Sequence, residues 1–157
     1  MSDNDRSIFN RGDDEEKPIK IERKEGEPTP AFKGASWGAL LVGVSAYFIG
    51  LFNAETMELN EKGYYFAILI FGLYSAVSLQ KAVRDKEEGV PVTSIYYGVS
   101  WTALIIAISL MAIGLYNAGS IILSEKGFYA MSFILSLFAA VTVQKNIRDT
   151  DQARKRD

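Results

Sequence analysis

The chain contains neither cysteine nor histidine. Without thiolate or imidazole it cannot form disulfides, ligate haem, hold a structural zinc or build a Cys, His or Ser-His-Asp catalytic centre. A lipid-modified cysteine is excluded for the same reason. No metal or other cofactor is expected. The second shortage is charge, and it is local. Of the 36 Asp, Glu, Lys and Arg residues, 16 fall in the first 33 positions and 8 in the last 13, leaving 12 for the 111 residues between. A stretch so poor in charge cannot supply the wet exterior of a soluble domain, so a multi-spanning membrane protein is expected. The N-terminal region also lacks the apolar core of a signal peptide, which leaves insertion to internal segments. The net charge of -2 comes from interleaved acids and bases rather than a basic stripe, an argument against nucleic acid as a partner.

Against these absences stand four uncharged runs. Residues 34–54 give 21 uncharged positions, enough for a helix of about 30 Å, the thickness of a bilayer's hydrocarbon core. Residues 63–80 form the second run. The uncharged stretch 89–124 is too long for one span and is divided into a helix from about Ile95 to Ala118 and a turn, with Pro91 where that helix would begin. Residues 127–144 form the fourth. The expected class is all-α: a polytopic membrane protein of four transmembrane helices. Its expected divisions are a flexible charged tail at 1–30, two-helix membrane repeats at 31–86 and 87–150, and a C-terminal tail at 151–157.

The repeats emerge when Ser36 is laid on Ser100 and the copies are followed at a constant offset of 64 without a gap. Ile49-Gly50-Leu51-Phe52-Asn53-Ala54 then faces Ile113-Gly114-Leu115-Tyr116-Asn117-Ala118. Glu61-Lys62-Gly63-Tyr64-Tyr65 faces Glu125-Lys126-Gly127-Phe128-Tyr129, and Gln80-Lys81-Ala82-Val83-Arg84-Asp85 faces Gln144-Lys145-Asn146-Ile147-Arg148-Asp149. The unit is a helical hairpin used twice. Each copy crosses twice, so both enter from the same side, as a parallel repeat about an axis along the membrane normal. With these GLxNA, EKGxY and QKxxRD signatures and their shared layout, residues 31 to 150 resemble the YiaA/YiaB two-helix family of bacterial inner-membrane proteins. The resemblance implies location and topology. It brings no catalytic residues with it.

Fifteen of the 17 Lys and Arg residues lie in the N-terminal tail, the middle loop and the C-terminal tail, and the two short turns hold only Lys62 and Lys126. By the positive-inside rule both termini are expected in the cytoplasm and both turns outside. Trp37, Trp101, Tyr96 and Tyr97 would then anchor the inner interface.

No ionisable side chain lies in the middle of a predicted span, so proton-coupled transport lacks its usual groups. Small residues recur four apart, including Gly50 with Ala54, Gly72 with Ala76, Gly114 with Ala118 and Ser136 with Ala140. Such faces let helix backbones approach closely, either inside the bundle or across a homodimer. Between Leu41 and Phe48 the copies share only Ser45, whereas identity crowds at the edges of the spans. The repeated outer residues Asn53, Glu61, Lys62, Asn117, Glu125 and Lys126 are therefore expected to form one pseudo-symmetric cluster about the axis. Asn60 and Ser124 are the expected N-caps of the second and fourth helices. Lys81, Arg84, Lys145 and Arg148, at the inner helix ends, are expected to meet anionic lipid. The expected partners are the bilayer and a second copy or another membrane protein. The function expected is a non-catalytic structural or partner-binding role in the inner membrane, with a minimal solute or ion transporter as the alternative. An enzyme would need Glu61 and Glu125 to converge across the axis.

Overall fold

The computed structural model describes residues 26–155 as four helices: α1 (Pro30–Asn53), α2 (Leu59–Glu87), α3 (Ser94–Asn117) and α4 (Leu123–Lys155). All four are long and apolar enough to cross a membrane. Most of the expected N-terminal tail, residues 1–25, lies outside the described residues, as do 156 and 157.

Each helix begins where the sequence offers an acceptor to its first free amides. The Thr29 hydroxyl accepts from the Phe32 amide at 3.1 Å, with Pro30 in the first turn, and the Thr93 hydroxyl accepts from the Tyr96 amide at 3.2 Å. Pro91 therefore stays in the connection and does not open α3. The other two starts correct the expected caps at Asn60 and Ser124. The Glu58 amide donates to Glu61 Oε2 at 2.9 Å and the Ile122 amide to Glu125 Oε2 at 3.0 Å, so α2 and α4 begin earlier, each with the reaching-back glutamate of a capping box. At its far end α2 closes with Gly89 at φ 74°, which lets the Val90 amide reach back to the Asp85 carbonyl at 2.8 Å. Helix α4 runs on to Lys155, through most of the segment expected as a C-terminal tail.

The packing is not that of two independent hairpins. Helix α1 lies mainly against α4, and α3 mainly against α2, while the two helices of each hairpin touch one another lightly. Helices α2 and α4 meet at the centre. Each repeat thus completes its outer layer with a helix of the other copy. The axis relating the copies can be located from residues that touch their own counterparts, because only groups near such an axis can do so. The rings of Tyr65 and Tyr129 stack with centroids 6.0 Å apart, and Tyr47 Oη approaches Met111 Sδ at 3.9 Å. Tyr47 also donates to the Tyr65 carbonyl at 2.9 Å. These side chains are buried, together with Leu69 and Phe133, and fill the bundle's centre.

Four hydroxyl groups within the spans satisfy themselves locally. Ser75 donates to the Phe71 carbonyl, Ser132 to Phe128, Ser136 to Ser132 and Thr142 to Phe138, each one turn back, at 2.6 to 2.8 Å. The outer faces of α1 and α3 carry exposed Leu41, Ile49, Ile105 and Ile113, as lipid contact requires.

Candidate functional site at the terminal end of the bundle

The end of the bundle holding the start of α1, the α2–α3 connection and the end of α4 is called the terminal end; the two short turns form the hairpin end. At the terminal end α2 and α4 run side by side and present the same sequence to one another. Arg84 pairs with Asp149, and Arg148 pairs with Asp85 at 2.9 Å, so each copy gives its arginine to the other copy's aspartate. Within each helix the aspartate takes a second cation one turn away, Lys81 to Asp85 at 2.6 Å and Lys145 to Asp149 at 3.3 Å. Glu88 binds both arginines, at 3.0 Å to Arg84 and 2.5 Å to Arg148. It also accepts from its own counterpart, Gln152 Nε2, at 3.0 Å. A second glutamate at position 152 would face Glu88 with like charge; the amide supplies a donor instead.

These pairs are partly dry. The side chains of Arg84 and Asp149 are only 15% and 14% exposed, against 57% for Lys81. The Arg84 guanidinium, with Gln152 and Arg148 beside it, holds the Glu88 carboxyl below the usual glutamate range, even though partial burial opposes this. Next to the network the Asn146 amide donates to Ser36 Oγ at 2.9 Å, binding the end of α4 to the start of α1. The Lys86 ammonium lies 4.7 Å from the centre of the Tyr97 ring, tying α2 to α3.

The expectation that Lys81, Arg84, Lys145 and Arg148 all face lipid is therefore corrected for two of the four. Arg84 and Arg148 turn inward because α2 and α4 meet along the axis and each offers an aspartate there. The lysines remain at the periphery. Asp85, Asp149, Glu88 and Gln152 were not singled out from the sequence, although Asp85 and Asp149 close the repeated QKxxRD signature and Glu88 and Gln152 continue its offset.

The hairpin end is built differently. Glu61 and Glu125 bond the starts of their own helices, Lys62 Nζ donates to the Phe52 carbonyl at 3.3 Å, and Asn117 Nδ2 donates to the Ile113 carbonyl at 3.0 Å. The six expected residues do not gather into one cluster. Glu61 and Asn117 line one cavity of about 250 Å³, and Glu125 and Asn53 line another of about 340 Å³. Each residue around the first is the offset counterpart of one around the second. The pseudo-twofold axis therefore separates these cavities, with Tyr65 lining one and Tyr129 the other. What joins the copies here is close packing. A Cβ on Gly50 would stand 2.7 Å from a ring carbon of Phe128, and one on Gly114 would stand 2.6 Å from a ring carbon of Tyr64. Tyr64 Oη donates to the Leu110 carbonyl at 2.7 Å. Deeper in the bundle, Gly72 faces the Phe133 ring, and Ser136 lies against Gly43.

A membrane-spanning bundle of two duplicated hairpins, joined across the copies at both ends, defines a tandem two-helix-domain membrane protein. The yiaA/B two helix domain matches twice, at residues 32–85 and 96–149, and the chain belongs to that family. It is 57% identical over 129 residues to the Inner membrane protein YiaA of Escherichia coli (strain K12), an alignment covering 82% of this chain and 88% of the relative. It is also 43% identical over 60 residues to the Uncharacterized membrane protein YubF of Bacillus subtilis (strain 168), covering 38% of this chain and 69% of the relative. No solved structure matches.

Proposed function

We propose that the protein is a non-catalytic structural element of the inner membrane that acts by holding a partner, with both termini in the cytoplasm. The carrying observation is the reciprocal terminal-end network, in which Arg84, Asp85, Arg148 and Asp149 bond one another. Groups so committed serve as fasteners, since a reacting carboxylate or cation must be available to substrate. The fastened end offers a fixed face on which Lys81, Lys145 and Glu87 stand at the surface. The distribution of basic residues and the similarity to an inner-membrane protein support the location. The transporter reading is set aside because Tyr47, Leu69, Tyr65 and Phe133 fill the axis along which a central path would run.

The test has two arms. Purified protein in liposomes is expected to pass neither ions nor small solutes above the rate of empty vesicles. Photo-crosslinking in cells from position 81 is expected to trap a discrete membrane protein, and Arg148→Ala is expected to weaken that product severalfold. Measurable flux, or a position 81 that captures nothing, would contradict the proposal.

A further inference from the structure

Among the positions where the two hairpins diverge, one facing pair changes the space between the helices. In the first hairpin, Phe48 of α1 and Phe66 of α2 meet with ring centroids 5.6 Å apart and fill the space between the helices. At the offset of 64 the counterparts in the second hairpin are Ala112 and Ala130. Two phenyl groups are missing from the corresponding space, and an apolar groove of about 460 Å³ lies there between α3 and α4, with both alanines in its wall. Its lining is almost wholly apolar, and Ile108, Ile134 and Phe138 on its rim are exposed to the surroundings of the bundle. The groove adjoins a second space. Ala76, Leu104 and Val141 also line a second cavity of about 700 Å³, which reaches the terminal end and has Trp101, Glu87 and Lys145 in its wall.

We propose that the groove and the adjoining cavity together form a binding site for one phospholipid, its acyl chain in the groove and its headgroup in the terminal-end cavity. Three features favour that occupant over a protein helix. The apolar part is about the size of a small-molecule site. The change from apolar to charged lining falls where Trp101 and the helix ends place the headgroup level. The polar wall carries both signs: the Lys145 ammonium, half exposed beside Asp149 at 3.3 Å, has further N–H donors for a phosphate, and the Glu87 carboxylate, which enters none of the network's ion pairs, is available to an amine. A headgroup bearing phosphate and ammonium together, of the ethanolamine type, matches this wall best. The inference does not depend on the partner-holding role proposed above, since a lipid can fill the cleft whether or not a protein docks elsewhere.

The full chain should be reconstituted in mixed phosphatidylethanolamine and phosphatidylglycerol vesicles containing a trace of phosphatidylethanolamine with a photoreactive acyl chain. Labelling is expected to concentrate on α3 and α4 and to fall at least fivefold in the double variant Ala112→Phe with Ala130→Phe, which copies the packing of the first hairpin. The converse pair, Phe48→Ala with Phe66→Ala, is expected to create labelling between α1 and α2, and this variant decides the matter if the first fails to fold. Photoreactive phosphatidylglycerol is expected to label the groove at least threefold less, and Glu87→Gln with Lys145→Gln to abolish that difference. Even labelling of both hairpins that neither pair of substitutions changes would overturn the site. A cross-linked dimer lost in the phenylalanine variant without loss of lipid would assign the groove to a second copy and overturn it too. Equal labelling by the two headgroups would overturn the headgroup assignment.

Discussion

The two ends of the bundle solve the same problem with different chemistry. Both carry residues repeated at a constant offset, and both must hold two copies together. At the hairpin end the repeated charges Glu61 and Glu125 turn back to their own helix starts, and the copies are joined by glycine seated against a ring. At the terminal end the repeated charges reach across the axis, and arginine of one copy meets aspartate of the other. The difference follows from which helices lie on the axis. Helices α2 and α4 meet there, and the charged last turn of α2 is brought face to face with the Arg148–Asp149 turn of α4. At their other ends the axis is taken by Tyr65 and Tyr129, which line the separate hairpin-end cavities. Identity retained after duplication thus marks residues under constraint without saying whether that constraint lies within a copy or between copies.

The glycines of the hairpin end carry the largest expected effect. Gly114→Leu and Gly50→Leu should each cost up to about 3 kcal/mol, since a side chain there takes the space held by the Tyr64 and Phe128 rings and must push these partly exposed rings off the helix they seat against. Leu41→Phe, on an exposed face, should stay within about 0.5 kcal/mol. Unfolding followed in mild detergent compares them, and equal tolerance would remove close packing as the hairpin end's fastener.

Next in size is the loss of one terminal-end cation. Arg148→Ala leaves Asp85 with Lys81 alone and deprives Glu88 of one of its two arginines, for about 1 to 3 kcal/mol. The same assay should show less for Lys81→Ala, whose side chain is mostly in solvent.

A smaller effect belongs to the helix-start glutamates. Glu61→Gln and Glu125→Gln should each cost about 0.3 to 1 kcal/mol, and their double variant should cost the sum, because each serves only its own helix. A departure from additivity beyond about 0.5 kcal/mol would join the two hairpin-end cavities energetically.

The smallest expected effect is that of pH through Glu88. Its carboxyl is held below the ordinary value of about 4.3, so its contribution is complete above that value and is lost as pH falls through the lower folded-state value. Wild type and Glu88→Gln should therefore differ in melting temperature at pH 6 and converge in acid. A difference that persists or widens below that range would contradict the pairing.

Much of the architecture could be read from residues alone, since span length and charge depletion are direct consequences of the bilayer as solvent. The repeat could be read because its offset is constant. The exchange of partners between hairpins could not. Short turns suggest that α1 packs on α2, and only the joint shape of all four apolar faces decides that α1 prefers α4. Arg84 illustrates the consequence: a cation at the end of a membrane helix reads as a lipid contact until the helix carrying Asp149 is known to lie beside it. Asn60 and Ser124 misled in another way, because a good capping residue competes with a glutamate one turn into the helix, and at both starts the glutamate prevailed. Phe48 and Phe66 beside Ala112 and Ala130 were visible as divergence, but a loss of ring volume acquires meaning only when both positions are seen to face one space.

The central claim is that the copies are fastened across the axis by charge at the terminal end. A double-mutant cycle on Arg84→Ala and Asp149→Ala, with unfolding measured in mild detergent, isolates that contact from the effect of either side chain alone. The account predicts a coupling of about 1 kcal/mol or more. Independent, additive losses would show that each residue serves only its own helix, and would contradict it.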